Sequence, residues 1–210
     1  MLLSTQEFHR RMYDSTVSAK ERPLITPVLD WSAQAKPGQA AIDLRLGQRF
    51  TVPRRTKLQA LDALSETRSA DLARYNDRHY VWMGDFFVLH PRQFVLGETL
   101  EWLHLPSSIA AFVTSRSSWG RDGLVIATAT GIHPGYSGVL TLELTNVAEI
   151  PILLYPGIAV AQLFLFEVLG GKQDELTPSS FNLSTGPGTG DPASRDSRIL
   201  KELKKTHTIA

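Results

Sequence analysis

The chain of 210 residues contains no cysteine, and that absence removes several chemistries at once. A disulfide framework, a thiolate nucleophile, an iron–sulfur cluster and every zinc site that uses Cys are excluded. None of the six histidines stands in an H-E-x-x-H spacing, so the common helical zinc hydrolase is excluded as well. A basic excess is lacking too. The 22 Lys and Arg are balanced by 21 Asp and Glu, which argues against a dedicated nucleic-acid binder. The longest apolar stretch, roughly residues 150–168, is broken by Pro151, Pro156, Gly157 and Gln162. It falls far short of the ~20 uninterrupted apolar residues of a membrane span. The N-terminal MLLSTQEFHRRM turns polar after three residues and has no signal-peptide apolar region. The expectation is a soluble cytoplasmic protein that engages neither membrane nor nucleic acid.

What is present is an ordinary apolar fraction, 42%, in a length suited to one domain with an appendage. Ser4-Thr-Gln-Glu7 reads as a capping box opening a short helix to about Tyr13. Residues 18–39, punctuated by Pro23, Pro27, Pro37 and Gly38, read as loop. Ala41-Ile-Asp-Leu-Arg-Leu-Gly47 alternates and reads as a half-buried strand. In residues 57–75, Leu58, Leu61, Leu64, Leu72 and Tyr75 recur at helical spacing, predicting one or two amphipathic helices on the edge of the core. Short apolar runs then recur about every ten residues: 86–89, 94–99, 109–114, 124–128, 139–145, 152–154 and 160–168. That cadence predicts a sandwich or barrel rather than βα units. Residues 177–198, rich in Ser, Thr, Gly, Pro and Asp, are expected to be mobile or ordered only by a ligand or partner. Residues 197–205 have the pattern of a short terminal helix.

Three places can carry chemistry. In Thr114-Ser-Arg-Ser-Ser-Trp-Gly-Arg-Asp-Gly123, hydroxyls, arginines and exposed backbone N–H groups follow an apolar strand. That is the composition of an anion site at a strand-to-helix corner, and equally of a Ser-rich turn with surface arginines. In residues 139–145, Leu140, Leu142 and Leu144 share one strand face while Thr141, Glu143 and Thr145 share the other. Glu143 is then either a solvated carboxylate or a general acid/base beside the anion site. Gln162 is the lone side-chain amide in the apolar strand 160–166, and when buried it must bond either backbone or a ligand oxygen. Gly186-Pro-Gly-Thr-Gly190 lacks the strand, helix and full spacing of a dinucleotide fingerprint, and Gly135-Tyr-Ser-Gly138 is no nucleophile elbow. Neither is given a role.

Together these motifs resemble the dCTP deaminase branch of the dUTPase-like superfamily. The resembling segments are Ala41-Ile-Asp-Leu-Arg-Leu-Gly, Phe87-Val-Leu-His-Pro, Ser115-Arg-Ser-Ser-Trp-Gly-Arg, Pro134-Gly-Tyr-Ser-Gly-Val-Leu-Thr-Leu-Glu143 and Pro156-Gly-Ile-Ala-Val-Ala-Gln-Leu163. The resemblance implies a mainly β protomer, a distorted β-barrel or jelly-roll with a few short peripheral helices. It also implies a homotrimer with sites at subunit interfaces and a nucleoside triphosphate carrying Mg2+, with no direct protein ligand to the metal and no zinc. The family domain would span residues 1–170, with a helical insertion at about 57–77. A flexible tail, 171–210, would be a candidate lid.

Carried over by position, Arg116, Ser117, Ser118, Arg121 and Gln162 would bind phosphate. Glu143, Arg121 and Ser117 would be catalytic, with Glu143 moving protons between water, N3 and the leaving amine. Ala127, Thr128, Thr130, His133 and Tyr136 would form the base and sugar pocket. The reaction implied is dCTP to dUTP and ammonia. This chain departs from the pattern in carrying Ala127 for His, Thr130 for Ala and His133 for Asp, in a segment one residue short. The lid's usual Lys-Tyr-x-x-Gln run has no match after Gly170, leaving Phe181, Arg195 and Arg198 as substitutes. A nucleoside triphosphate pyrophosphatase and a non-catalytic nucleotide sensor are the alternatives on the same scaffold.

Overall fold

In the computed structural model of the chain, the described residues are 1–28, 30–54, 60–62, 65, 68–170 and 183–189. Helix α1 (Thr5–Met12) begins as the capping box predicts, with Ser4 Oγ accepting from the Glu7 N–H at 3.1 Å. The return half of the box is replaced. Arg10 and Arg11, 2.8 and 2.7 Å away, take the Glu7 carboxylate and hold it down to about 2.

The rest of the described chain is mainly β, in three antiparallel sheets. The largest joins β4 (Asn76–Tyr80), β3 (Arg49–Pro53), β6 (Phe94–His104), β10 (Ser137–Asn146) and β8 (Leu124–Ile126), with β1 (Leu24–Thr26) added on β6. The second has the order β2 (Ala41–Arg45), β12 (Ala159–Glu167), β7 (Ile109–Ser115) and β9 (Gly131–Ile132). A two-stranded ladder pairs β11 (Ile152–Leu154) with β5 (Phe87–Leu89). The ladders do not close into a barrel among the described residues. Each of the two larger sheets ends on one side in a short strand, β9 with two residues and β8 with three.

One apolar core unites the sheets, because alternate residues of each strand are withdrawn from water. Ile42 and Leu44 of β2, Leu163 and Leu165 of β12, and Leu142 and Leu144 of β10 belong to the same cluster. Each such side chain contributes roughly 1.5–3 kcal/mol on burial.

Two expectations change. The stretch 18–39 is not wholly loop, for it holds β1 and a one-turn helix α2 (Trp31–Gln34) capped by Asp30. Elements of three and four residues are too short to show a period. The helical segment of 57–77 is in part a connection between strands. Helix α3 (Arg68–Tyr75) runs into β4, which pairs with β3 in the register Arg49↔Tyr80 to Pro53↔Asn76. Leu58 and Leu64 lie outside the described residues, as do Phe181, Arg195, Arg198 and the terminal segment 197–205. No described helix is long and apolar enough to cross a membrane.

In the tail, residues 183–189 lie along β10. Ser184 bridges to Gly138, the Val139 N–H donates to Ser184 O at 3.0 Å, and the Gly188 N–H donates to Thr141 Oγ1 at 3.0 Å.

Candidate active site

The alternation of β10 places Thr141, Glu143 and Thr145 half-buried on the face opposite the core leucines. Across on β6 their partners are Glu98, Leu96 and Phe94. The backbone of Glu143 is clamped on its other side. Its N–H donates to Thr128 Oγ1 at 2.9 Å, and its carbonyl accepts from the Ala127 N–H at 2.8 Å. The Thr128 hydroxyl in turn donates to Thr141 O at 3.3 Å. The Glu143 carboxylate itself has no hydrogen bond or ion pair among the described residues. A rigidly held, uncommitted carboxylate is what proton transfer to a bound molecule requires.

Glu143 lines a cavity of about 200 Å³, whose polar lining residues also include Thr128, His133 and Thr141, with Gly188 at its edge. Sites that enclose a whole drug-sized ligand measure roughly 300–1,000 Å³, so this one has room for a base or a sugar and not for a triphosphate as well. Tyr136 is also part of the wall. Its hydroxyl is committed inward, donating to Val139 O at 2.6 Å, and burial pushes the phenol up to about 12. Tyr136 therefore offers a surface to a ligand and no proton at neutral pH.

Of the five expected base and sugar residues, Thr128, His133 and Tyr136 line the cavity. Ala127 and Thr130 do not. Ala127 acts through its backbone, and Thr130 O accepts from the Val113 N–H at 2.9 Å. Ala129, Gly131 and Ile132 line it instead.

The expected phosphate residues form a second group, on the four-stranded sheet. Strand β7 turns at Arg116 into α4 (Ser117–Arg121), a single turn anchored by the Trp119 indole N–H, which donates to Ala159 O at 2.9 Å. Register sets Gln162 between Asp43 and Thr114. Gln162 Nε2 donates to Asp43 Oδ1 at 3.1 Å, and Arg116 Nη1 lies 3.5 Å from Asp43 Oδ2. Ser117, Ser118 and Arg121 are exposed on the turn. None of Arg116, Ser117, Ser118, Arg121 and Gln162 lines the Glu143 cavity of the same chain.

Residue-level reading overlooked Asp43, Gly188 and two buried carboxylates. Asp43 had a visible signal, since it is the acidic residue on the open face of an alternating strand. Gly188 sits in the glycine run that matched no motif. Glu101 is buried against Arg45, whose backbone N–H and guanidinium both donate to it. Burial pushes its carboxyl up despite these bonds. Glu98 is 6% exposed on β6. Nothing in an apolar strand pattern announces a buried acid. Among the described residues no three His, Asp or Glu side chains gather as a metal-ligand set.

The chain is similar to known proteins over most of its length. Residues 2–168 match the family described as dCTP deaminase-like. It is 38% identical over 169 residues to the dCTP deaminase of Natronomonas pharaonis, covering 80% of this chain and 81% of that protein. It is 34% identical over 182 residues to the dUMP-forming dCTP deaminase of Methanobrevibacter smithii, covering 86% and 84%. Among solved structures, the 2'-deoxycytidine 5'-triphosphate deaminase from Agrobacterium tumefaciens superposes with a TM-score of 0.56 at 24% identity, a likeness of fold alone. That match covers 78% of this chain and 48% of the other, so the present chain spans about half the length of that protein. With a family match extending through nearly the whole β-rich region, the chain belongs to the dCTP deaminase-like family.

Proposed function

We propose that this protein is a hydrolytic deaminase that converts dCTP and water to dUTP and ammonia, acting on a C–N bond of a cyclic amidine within the cytoplasmic nucleotide pool. The observation that carries the reading is that Glu143, whose carboxylate has no partner among the described residues, lines a base-sized cavity. Glu143 takes a proton from water as its oxygen bonds to C4 of cytosine, and passes that proton to N3. The second proton, from the new hydroxyl at C4, travels through Glu143 to the amine, and the C4–N bond breaks to release ammonia. Ser117 and Arg121 stabilise the charge that develops on the tetrahedral centre.

The phosphate residues are supplied to each cavity by a neighbouring copy of the chain in a homotrimer. This accounts for their separation from Glu143 within one protomer. Arg116, Ser117, Ser118 and Gln162 then face the triphosphate, and magnesium enters bound to the nucleotide as part of the substrate.

The test is incubation with magnesium and a panel of ribo- and deoxyribonucleoside triphosphates, with base and phosphate products separated by chromatography. Ammonia from a cytosine nucleotide, lost in Glu143→Gln, supports the reading. Absence of deamination from every cytosine nucleotide rejects it.

A second reading rests on His133, which lines the same cavity. An imidazole there can activate a further water against the phosphate chain, giving dUMP and pyrophosphate. Pyrophosphate release that disappears in His133→Ala selects it, whereas accumulation of dUTP excludes it.

A further inference from the structure

Glu98 is a buried acid for which the proposed chemistry has no use. It lies directly across the β6–β10 ladder from Thr141 and shares the outer sheet face with Glu143. Its Oε1 accepts from the Arg49 N–H at 3.3 Å. Its Oε2 is buried without a hydrogen-bond partner, 3.7 Å from Arg49 Nη1. The tail lies against this carboxylate and the exposed Arg49 side chain. A methyl group built on Gly186 would stand 3.5 Å from Arg49 Nη1 and 3.7 Å from Glu98 Oε2. Two residues on, the Gly188 N–H bonds Thr141 Oγ1, and Gly188 walls the cavity beside Glu143.

We propose that Glu98 is a positioning residue for the tail. Its carboxyl, facing Arg49 beneath Gly186, sets how closely residues 184–188 lie over the Glu143 cavity, and the segment lifts as Glu98 ionises.

Burial pushes the Glu98 carboxyl up, opposed by Arg49 and by the backbone N–H groups of Arg49 and Gln48. A covering tail thus favours the neutral acid, and laying the tail down takes up a proton. The covered state is fully favoured below the ordinary carboxyl range and loses stability as pH rises through the raised value. The charged or titratable groups on this face are Arg49 on β3, Tyr80 and Arg78 on β4, and Glu143 on β10. The described tail residues 183–189 carry none.

The test is amide hydrogen exchange at Leu183, Val139 and Gly188, corrected for the intrinsic pH dependence of exchange, across the carboxyl range and above it. In the wild-type chain, protection falls about tenfold for each unit by which burial raises the carboxyl. In Glu98→Gln, which keeps the shape and loses the charge, it stays flat. Arg49→Gln alters an exposed side chain, so it guards against a folding defect. Removing the cation that favours the ionised form moves the loss of protection to higher pH. Wild-type protection that ignores pH, or a Glu98→Gln profile that matches the wild type, overturns the proposal.

The consequence for nucleotide binding rests on the functional reading above: KM for dCTP rises with pH in the wild type and not in Glu98→Gln, at similar kcat. Exchange that follows Glu98 in a chain without deaminase activity supports the positioning role and rejects only the functional reading.

Discussion

Glu143 and Tyr136 line one cavity yet have opposite commitments. The Glu143 carboxylate has no partner among the described residues, so Glu143→Gln is expected to leave the melting temperature unchanged while lowering kcat by about 10²–10⁴-fold. Thermal unfolding beside an ammonia-release assay checks both halves. The Tyr136 hydroxyl bonds Val139 O and faces inward. Tyr136→Phe is therefore expected to cost about 0.5–1.5 kcal/mol of stability, with kcat little changed. Urea titration measures the first, and a fall in kcat comparable to that of Glu143→Gln would show that the phenol takes part in the reaction. Arg45 is the opposite of a surface cation, since its partner Glu101 is 2% exposed. Arg45→Ala would strand that carboxylate in the core and is expected to cost roughly 3–5 kcal/mol in denaturant unfolding.

At the scale of the element, β10 carries both core leucines and the proposed general acid/base, because a period of two sends leucines one way and Thr141 and Glu143 the other. Leu142 is fully buried beneath Glu143. Leu142→Ala is expected to cost about 2–5 kcal/mol, read in the same denaturant titration, with residual activity in the fraction that stays folded. The β2–β3 turn shows the converse constraint. A methyl group on Gly47 would lie 2.6 Å from Glu98 Cγ, so the glycine is what lets the buried acid pass close to the backbone. Much of this level was legible beforehand. The runs 152–154 and 160–168 correspond closely to β11 and β12, and the strand ending at Gly47 to β2. Of the strands not anticipated, β1 and β9 are too short to show a period, and β3, Arg-Phe-Thr-Val-Pro, alternates over only four residues before its proline. Strand β4, Asn-Asp-Arg-His-Tyr, has almost no apolar residue at all and is held by its ladder to β3.

For the molecule as a whole, the separation of Glu143 from Arg121 within one chain leads to a mixing experiment. Glu143→Gln and Arg121→Ala are each expected to be inactive alone. Refolded together at equal amounts into a trimer whose sites draw one residue from each of two neighbours, they should recover activity at roughly a quarter of the sites. No recovery in the mixture, with trimers shown by sedimentation, would place both residues in a site built from one chain.

Composition and pattern alone determined that the chain is mainly β and builds no Cys-liganded zinc site, and the alternation of residues 139–145 turns Glu143 away from the core. These are local properties, readable because side-chain direction follows from backbone period. Only the tertiary structure decided which residues meet. Asp43 joins Arg116 and Gln162 because β2, β7 and β12 are adjacent in one sheet. Gly188 reaches Thr141 because the tail returns to β10 across more than forty residues of chain, as the separation of 47 positions records. Glu98 is enclosed between the Gly47 turn and the returning segment at Gly186. Contacts between residues distant in sequence depend on the packing of whole elements, and no local period encodes them.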